Sequence, residues 1–503
     1  MSDTRSAFPH SSSRLLTACL VLALIGCGDR SSGSPGTADS LSGTGAGAAG
    51  LDSLPSKVTF NADVAPILHR SCAKCHRPGE AAPFPLLRYE DAAPIAAAIA
   101  LATRARRMPP WPADPAYRHF LDENVLTDRE IASLEAWNAA GAPRGEGAAP
   151  AIPQFPSGSQ LGEPDLVVRM PGTIPIKGNS QDHFAIVKFP FTVPRDTFVR
   201  AIEFVPGNRR LVHHMNASLI VYPEGRKRDP GAGLWYLLQG SHEGNLEGLQ
   251  IENDDGTFAP IHIGVTNFLP GANSIMYPEG LGGFRIGRHN AILMNMIHYG
   301  PSGTDDLDSS RFNIFFADSA PSRPTYTLLL GTLGVSPVLP DLVIAPNAVE
   351  TVRTEFTLPA AVSILTINPH MHLLGRSFKA YAVLPSADTV PLVSIPRWDF
   401  RWQYFYTFER MLALPAGTRI VAEGVYDNTS ANPNNPFSPP REVRDRNGSM
   451  RTSDEMFQCI LTIVPYQAGD ESRRLRVDPV ATSVTQAGAA IPERSASPPA
   501  RDR

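Results

Sequence analysis

Two cysteines and a histidine near the start of the chain have a spacing that can hold a prosthetic group. Cys72, Cys75 and His76 form the pattern Cys-x-x-Cys-His. The two thiols stand one helical turn apart and can form thioethers to the vinyl groups of a haem, while the adjacent imidazole binds the iron. The alternative, a zinc or redox Cys-x-x-Cys, needs a second ligand pair or a βαβ setting, which this sequence lacks. The motif therefore predicts a covalently attached c-type haem.

The sixth ligand of that haem is open between several residues. Met108 is followed by two prolines and Trp111, and this segment resembles the Met-Pro loop of cytochromes c. A methionine thioether at the iron would raise the reduction potential. The alternatives are a methionine that merely packs near a turn, or ligation by His69 or His119.

The later histidines occur in pairs whose spacing suits metal ligands. His370 and His372 are two residues apart, so in a strand both imidazoles lie on one face and can meet one metal. The alternative is a pair of exposed histidines at a strand edge. His213 and His214 are consecutive, and in a regular strand they point to opposite faces. They can share a metal only if the strand is distorted or if they use different ring nitrogens.

The order of these motifs resembles that of a known family. The segments that carry the resemblance are Val212–Met215, His298–Gly300, His370–Gly375 and Thr452–Met456, with Tyr426–Asn428 and Asn432–Pro436 in addition. In this order they look like the copper type II, ascorbate-dependent monooxygenases, which include the peptidylglycine α-hydroxylating and dopamine β-monooxygenases. The resemblance covers roughly residues 160–466.

The resemblance implies two copper sites, one for electron transfer and one for oxygen activation. Their ligands would be, in that order, His213, His214 and His298, and then His370, His372 and Met456. Imidazole suits copper, and a thioether favours Cu(I) and is of little use to zinc. Met456 also reads as a core methionine at the start of a strand, and zinc instead of copper is a further alternative.

The sequence departs from the family in three respects. Asn368 stands where peptide-hydroxylating members carry an arginine that recognises the substrate carboxylate, which puts a peptide substrate in doubt. The animal enzymes are held by several disulfides. Once lipid and haem take their cysteines, only Cys459 remains outside the signal segment, so no internal disulfide is expected. The animal enzymes also lack a fused cytochrome.

The resemblance and the haem motif together predict an enzyme that uses copper to hydroxylate a C–H bond of a small organic substrate with O₂. Electrons would come through the haem, from ascorbate or from a periplasmic donor. The rival interpretation is a copper- and haem-binding electron-transfer or sensing lipoprotein that has no catalytic activity. The formal net charge is −4, with 45 basic and 49 acidic residues, which argues against a nucleic-acid partner.

The beginning of the chain reads as a bacterial export signal. Arg14 precedes the apolar run Leu15–Ile25, which is too short to span a bilayer. The run ends in Leu24-Ile25-Gly26-Cys27, which resembles a lipobox and implies lipid attachment at Cys27. The alternative is an ordinary signal peptide with an incidental cysteine. The expected location is the cell envelope, facing the periplasm, and the outer membrane because Gly28 rather than aspartate follows Cys27.

The elements that must position these residues divide the chain into several regions. We expect a signal (1–27), a Gly/Ser-rich tether (28–55), a haem domain (56–147), a linker (148–160), two copper domains (161–330 and 331–467) and a disordered tail (468–503). The haem domain should contain short helices at Asn61–Ser71 and Asp91–Arg107 and from Thr127 to about Ala140. Thr127 and Glu130 match a capping box at the start of the last one. This region resembles a small all-α class I cytochrome c domain.

The rest of the chain is rich in short strand-like segments bounded by Pro, Gly, Asn or Asp. Examples are Phe184–Val193, Ala217–Tyr222, Ala291–Tyr299, Arg311–Phe316, Tyr326–Leu330, Ser363–Ile367, Phe378–Leu384, Trp402–Phe408, Arg419–Tyr426 and Met456–Val464. Many short strands over ~300 residues predict two β-sandwich or jelly-roll domains in tandem. The predicted fold is thus multidomain: a small all-α domain followed by two all-β domains.

Overall fold

The computed structural model describes residues 57–475, apart from residues 157, 194, 239–245, 287–289 and 447–450. The predicted signal, Cys27, the tether and most of the predicted tail lie outside the described residues. Within the described part, no helix combines the length and the apolar character needed to cross a bilayer.

The helical region, residues 57–147, consists of short elements. A π-helical turn, Phe60–Val64, leads into α1 (Ala65–Ser71); α2 (Tyr89–Ala92), a 3₁₀ turn (Ala93–Ile95), α3 (Ala96–Arg104) and α4 (Asp128–Ala139) follow. The capping box is confirmed: the Glu130 amide donates to Thr127 Oγ1 at 3.2 Å and the Thr127 amide to Glu130 Oε2 at 2.9 Å. The single helix predicted over Asp91–Arg107 is wrong. It is interrupted around Pro94, which lacks an amide hydrogen.

The first β unit spans residues 166–316. Its strands are β1 (Leu166–Arg169), β2 (Ile174–Ile176), β3 (His183–Thr192), β4 (Thr197–Val205), β5 (Val212–Val221), β6 (Tyr236–Leu238), β7 (Ile261–Phe268), β8 (Phe284–Ile286), β9 (Asn290–Tyr299), β10 (Asp306–Asp308) and β11 (Arg311–Phe316). A four-stranded sheet, β1-β11-β4-β8, and a five-stranded sheet, β6-β3-β9-β5-β7, share one apolar core. Phe189, Phe312 and Leu293 are fully buried there.

The second β unit spans residues 326–465. Its strands are β12 (Tyr326–Gly331), β13 (Val343–Ile344), β14 (Val349–Thr357), β15 (Val362–Met371), β16 (Gly375–Val383), β17 (Thr389–Ile395), β18 (Tyr406–Leu414), β19 (Arg419–Asp427), β20 (Val443–Arg444) and β21 (Phe457–Pro465). Two antiparallel four-stranded sheets, β12-β21-β15-β18 and β14-β19-β16-β17, again enclose one core. β12 pairs with β21, so the strand before the expected boundary at residue 330 belongs to this unit.

The chain is therefore mostly β, with several sheets, as expected. The strand predicted at Trp402–Phe408 is displaced: β18 begins only at Tyr406, and residues 402–405 are irregular backbone. The tail also begins later than predicted, because Asp470 forms a buried ion pair with Arg323 at 2.6 Å and Leu475 is 2% exposed.

The helical region also contributes to the second core. Ala113 and Phe120 belong to the same apolar cluster as the second β unit. The Phe120 ring lies 5.0 Å from Tyr406 and 5.4 Å from Phe408, and the Leu121 amide donates to the Thr407 carbonyl at 2.8 Å. The segment after α3 is thus fixed against β18.

Candidate functional site

One group of three histidines is brought together by two neighbouring strands of the first β unit. His213 and His214 lie at the start of β5, and His298 lies near the end of β9. The pairing of β5 with β9 shifts register between Val212 and His214, and His214 then stands opposite His298. This irregularity is the distortion that the sequence required if two consecutive histidines were to face one site.

The Nδ1 atoms of these imidazoles converge. His214 Nδ1 lies 3.5 Å from His213 Nδ1 and 3.2 Å from His298 Nδ1. One ligand atom from each residue lies within 4.8 Å of the others, so the three could hold a single metal ion. The donor set, three imidazole nitrogens, suits copper or zinc.

The surroundings of the cluster orient its rings. His298 Nε2 donates to Asp182 Oδ1 at 2.8 Å, which leaves Nδ1 as the free nitrogen. Phe184 stacks on the His298 ring at 4.4 Å. Burial is the main cause that lowers the pKa of His213 to about 4 and the pKa of His214 well below its usual range. The imidazoles of His213 and His214 are therefore neutral at pH 7, as metal ligands must be.

The second predicted pair lies where β15 ends. β15 ends at Met371, with His370 within the strand and His372 directly after it, and the two rings lie 5.1 Å apart. His372 Nδ1 donates to the Asp454 carbonyl at 2.9 Å, and His370 Nδ1 donates to Gln403 Oε1. Since each Nδ1 carries the hydrogen, Nε2 is the nitrogen that each ring has free for a metal. Burial lowers the pKa of His370 to about 3 and of His372 to about 4.

Met456 lies at the same end of the β15–β21 pair as these histidines. β21 pairs with β15 so that Gln458 faces His370 and Phe457 faces Met371. His372 and Met456 each lie one residue beyond that last pair. Both side chains are 2% exposed. The register thus agrees with Met456 acting together with the two histidines.

Glu455 holds the loop after β15 against the segment before β21. Its Oε1 accepts from the Leu374 amide at 2.7 Å and its Oε2 accepts from the His372 amide at 2.9 Å and the Met456 amide at 3.3 Å. The carboxyl is fully buried. It therefore fixes the backbone at two of the three predicted ligands.

The Cys-x-x-Cys-His motif opens on a cavity of about 1120 Å³. Cys72, Cys75 and His76 line it. His76 Nδ1 donates to the Phe84 carbonyl at 3.1 Å, so its Nε2 is free to bind an iron. Both thiols are free, and burial raises the pKa of Cys72 to about 12 and of Cys75 to about 11. The volume exceeds the ~300–1,000 Å³ of ordinary ligand pockets, so the cavity has room for a large group, and the two thiols and the free imidazole nitrogen are the donors that a c-type haem uses.

Of the three candidates for the sixth ligand, only Met108 lines this cavity. His69 is buried elsewhere, with its Nε2 donating to the Leu87 carbonyl at 2.8 Å. His119 is largely exposed and lies 3.1 Å from Glu123. The placement of Met108 agrees with the predicted ligand.

The cavity also reaches the first histidine cluster. His213 lines it, together with Trp402 and Tyr404 of the second β unit and Pro270–Asn273 of the first. Its walls thus come from all three parts of the described chain.

Sequence reasoning missed several residues around the sites. Asp182, Gln403 and Phe400 each contact a predicted histidine. Asn368, the position that departs from the family pattern, donates to the Tyr404 carbonyl at 2.9 Å. For Phe400, the sequence does contain a signal: aromatic residues alternate from Phe400 to Phe408, and the predicted strand Trp402–Phe408 accounts for only part of this pattern.

Comparisons with known proteins do not identify this chain. No family model matches it, and no curated protein matches it. Among solved structures, that of PNGF-II has a TM-score of 0.24 at 10% identity, covering 59% of this chain and 65% of that one. That of infectious bursal disease virus, Gx strain, has a TM-score of 0.16 at 10% identity, covering 64% of this chain and 77% of that one. Likeness at this level carries no argument about function.

Proposed function

We propose that this protein is a copper-dependent monooxygenase in which a c-type haem supplies electrons. The observation that carries the proposal is the pairing of two histidine sites with different free nitrogens on facing β units. His213, His214 and His298 present Nδ1 atoms, whereas His370 and His372 have Nε2 atoms free, and Met456 is the proposed third ligand of that second site. Two chemically distinct sites suit two distinct tasks, and the thioether favours Cu(I) in the second.

When bound, copper and haem would supply one-electron steps and the reduction of O₂, putting one oxygen atom into a C–H bond and releasing the other as water. The chain's own residues orient these groups. Asp182 fixes the ring of His298, and Gln403 fixes that of His370, each through a hydrogen bond to the nitrogen that does not face the site. Glu455 fixes the backbone of His372 and Met456.

Other parts of the proposal rest on the sequence resemblance. They are the cytochrome-like nature of the helical region, the jelly-roll character of the β units, a small organic substrate, ascorbate or a periplasmic protein as reductant, and a lipid anchor at Cys27 in the outer membrane. Because Asn368 binds backbone carbonyls, it does not offer a cation to a substrate carboxylate. We therefore propose a substrate other than a peptide with a free C-terminus.

One observation favours the rival function, a haem- and copper-binding electron-transfer or sensing protein. The large cavity is lined by His213, but its described lining includes neither His370, His372 nor Met456. This cavity thus gives electrons a way to the first cluster, but it does not give a substrate access to the second. O₂ uptake by the reduced protein, coupled to disappearance of a C–H substrate, would favour the enzyme; slow uncoupled oxidation would favour the rival.

The substitution Met456→Leu tests the oxygen-activating site. Leucine has a similar volume, so the fold should persist, but the thioether is lost. We expect product formation to fall by about 100-fold. Mutating a residue that only supports a metal ligand already costs about 10–100-fold in metal affinity or activity, and a ligand should lie at the upper end of that range. Product is measured by mass spectrometry, with metal content by elemental analysis and the haem spectrum as checks.

Met411→Leu is the matched control, since Met411 is also 2% exposed, lies in the core of the second β unit and touches neither histidine site by any contact described above. It should leave product formation unchanged. Hydroxylation by Met456→Leu at the normal rate would contradict the proposed mechanism. The proposed mechanism would also be contradicted if elemental analysis found two zinc ions in place of copper.

A further inference from the structure

An irregular segment of the second β unit, Phe400–Tyr404, passes all three predicted redox sites. It connects β17 to β18 and carries an aromatic side chain at every second position: Phe400, Trp402 and Tyr404. None of these residues is a predicted ligand. Their contacts nevertheless run from the cavity beside Cys75 and His76 to both histidine sites.

Trp402 is the contact between the cavity and the first cluster. Its indole lines the cavity, and it lies 5.3 Å from the His213 ring, centroid to centroid. This distance is within the range of packed aromatic pairs. His213 lines the same cavity, so a planar group held at His76 would share its enclosure with both rings.

Tyr404 extends this contact along the cavity wall. Its ring is nearly parallel to that of Trp402, at 15° and a centroid distance of 6.4 Å, and it lies 5.2 Å from Trp111. Tyr404 and Trp111 also line the cavity. The lining of the cavity therefore contains a series of neighbouring aromatic rings, Trp111, Tyr404 and Trp402, that reaches His213.

Phe400 lies between the two histidine sites. Its ring is 5.5 Å from His214 of the first site and 5.8 Å from His372 of the second. It is also 6.5 Å from Phe184, which stacks on His298. One phenyl ring thus contacts both sites directly.

Hydrogen bonds fix the segment in place. Asn368 Nδ2 donates to the Tyr404 carbonyl at 2.9 Å, the Tyr404 hydroxyl donates to the Pro110 carbonyl at 2.8 Å, and Gln403 Nε2 donates to the Phe400 carbonyl at 2.8 Å. These bonds come from β15, from the helical region and from within the segment. The aromatic rings are therefore held at fixed distances, as coupling between sites requires.

The geometry points to Phe400–Tyr404 as the electron path of the molecule, with Trp402 as the positioning residue between haem and the first copper. This inference rests on the proposed function. With both groups bound, one electron would leave a ferrous haem, oxidising it to ferric, and would reduce a cupric ion held by His213 to cuprous. No bond is made or broken, and Phe400 couples the first site to the second in the same way. A filled π system between two centres couples them better than the gap that an aliphatic side chain would leave.

The substitution Trp402→Leu tests the path on the full-length protein loaded with haem and copper. The haem is reduced without O₂ in a rapid-mixing instrument, and its reoxidation by Cu(II) is followed by absorbance. We expect the transfer rate to fall by roughly tenfold or more, equivalent to about 1.4 kcal/mol of activation free energy for each factor of ten. Trp402→Phe retains an aromatic ring and should stay close to the wild-type rate.

Three further measurements separate this inference from a loss of structure and from failure of the proposed function. Copper content, the haem spectrum and the cupric electron paramagnetic resonance signal should be the same in Trp402→Leu as in wild type. An unchanged transfer rate in that variant, with both groups bound, overturns the path alone. A wild-type protein that binds no copper overturns the proposed function and the path together. If Trp402→Leu does not fold, Trp402→Phe and Tyr404→Leu are compared, and equal rates in both overturn the path.

Discussion

At the scale of single residues, the site depends on side chains that touch ligands rather than on the ligands alone. In His298, His370 and His372, the ring nitrogen that faces away from the metal site donates to a hydrogen-bond acceptor within the chain. These acceptors select which nitrogen is free, and the choice differs between the two sites. A histidine motif by itself does not contain this information.

Asp182→Asn should weaken metal binding at the first cluster. Asparagine keeps the shape and an acceptor oxygen but loses the charge that stabilises His298, and changes of this kind cost about 10–100-fold in metal affinity. The second site should keep its affinity. Copper affinity is measured by competition with a chelator, and Asp388→Asn, at an exposed turn, is the control. Equal affinities in both variants would mean that Asp182 does not orient His298.

The residues themselves could be predicted to a useful extent. His213, His214 and His298 were expected together and lie together. Asp182 could not be predicted, because it precedes β3 and reaches His298 only through the pairing of β3 with β9. Phe400 reaches His214 only because the two β units face each other, which no local pattern records.

At the scale of elements, both histidine sites depend on strand ends and irregularities. The register shift between Val212 and His214 turns two consecutive histidines toward one site. β15 ends at Met371, so His372 lies just outside the sheet. Each segment named from strand periodicity overlaps a strand of the structure, since β-branched and aromatic residues are frequent there. The periodicity failed at Trp402–Phe405, where the alternation of aromatic residues serves contacts other than sheet pairing.

Glu455→Gln should loosen the second site. An amide has one oxygen, whereas the Glu455 carboxyl accepts from the amides of Leu374, His372 and Met456. A buried backbone amide left without a partner costs about 1–3 kcal/mol, so we expect that loss in the free energy of unfolding. Denaturant unfolding measures the stability and elemental analysis the copper content.

The same experiment should show loss of about one copper ion per chain, with the first cluster still loaded. Glu423→Gln is the control, because Glu423 accepts only from the partly exposed Tyr381 hydroxyl among the bonds described here. Retention of both copper ions with unchanged stability would contradict the role given to Glu455.

At the scale of the whole molecule, the helical region and the second β unit are structurally joined. Phe120 packs on Tyr406 and Phe408 of β18, and the Asp114 amide donates to the Ser394 carbonyl at 2.8 Å. Composition predicted a helical region and a strand-rich region, because a Pro/Gly/Ser-rich linker at 148–160 separates them, and the number of strands predicted two β domains. It could not predict that residues 113–121 of the first region complete the core of the last.

Phe120→Ala should therefore destabilise the second β unit. Removing a buried phenylalanine typically costs ~3–5 kcal/mol. We expect faster amide hydrogen exchange in β18, measured by mass spectrometry, as well as a lower melting temperature. Phe258→Ala, at a side chain that is 59% exposed, should have no such effect. Faster exchange confined to α1–α4 would show that the two regions unfold independently.

The three-walled cavity has a consequence for how the molecule matures. A group attached at Cys72 and Cys75, as we propose, would be enclosed only when Pro270–Asn273 and Trp402–Phe405 have closed over it. Chains fold from the N-terminal end as they are made, so the motif is available long before those later walls exist. Attachment should therefore precede docking of the β units, and chains that complete their fold first would shut the attachment machinery out.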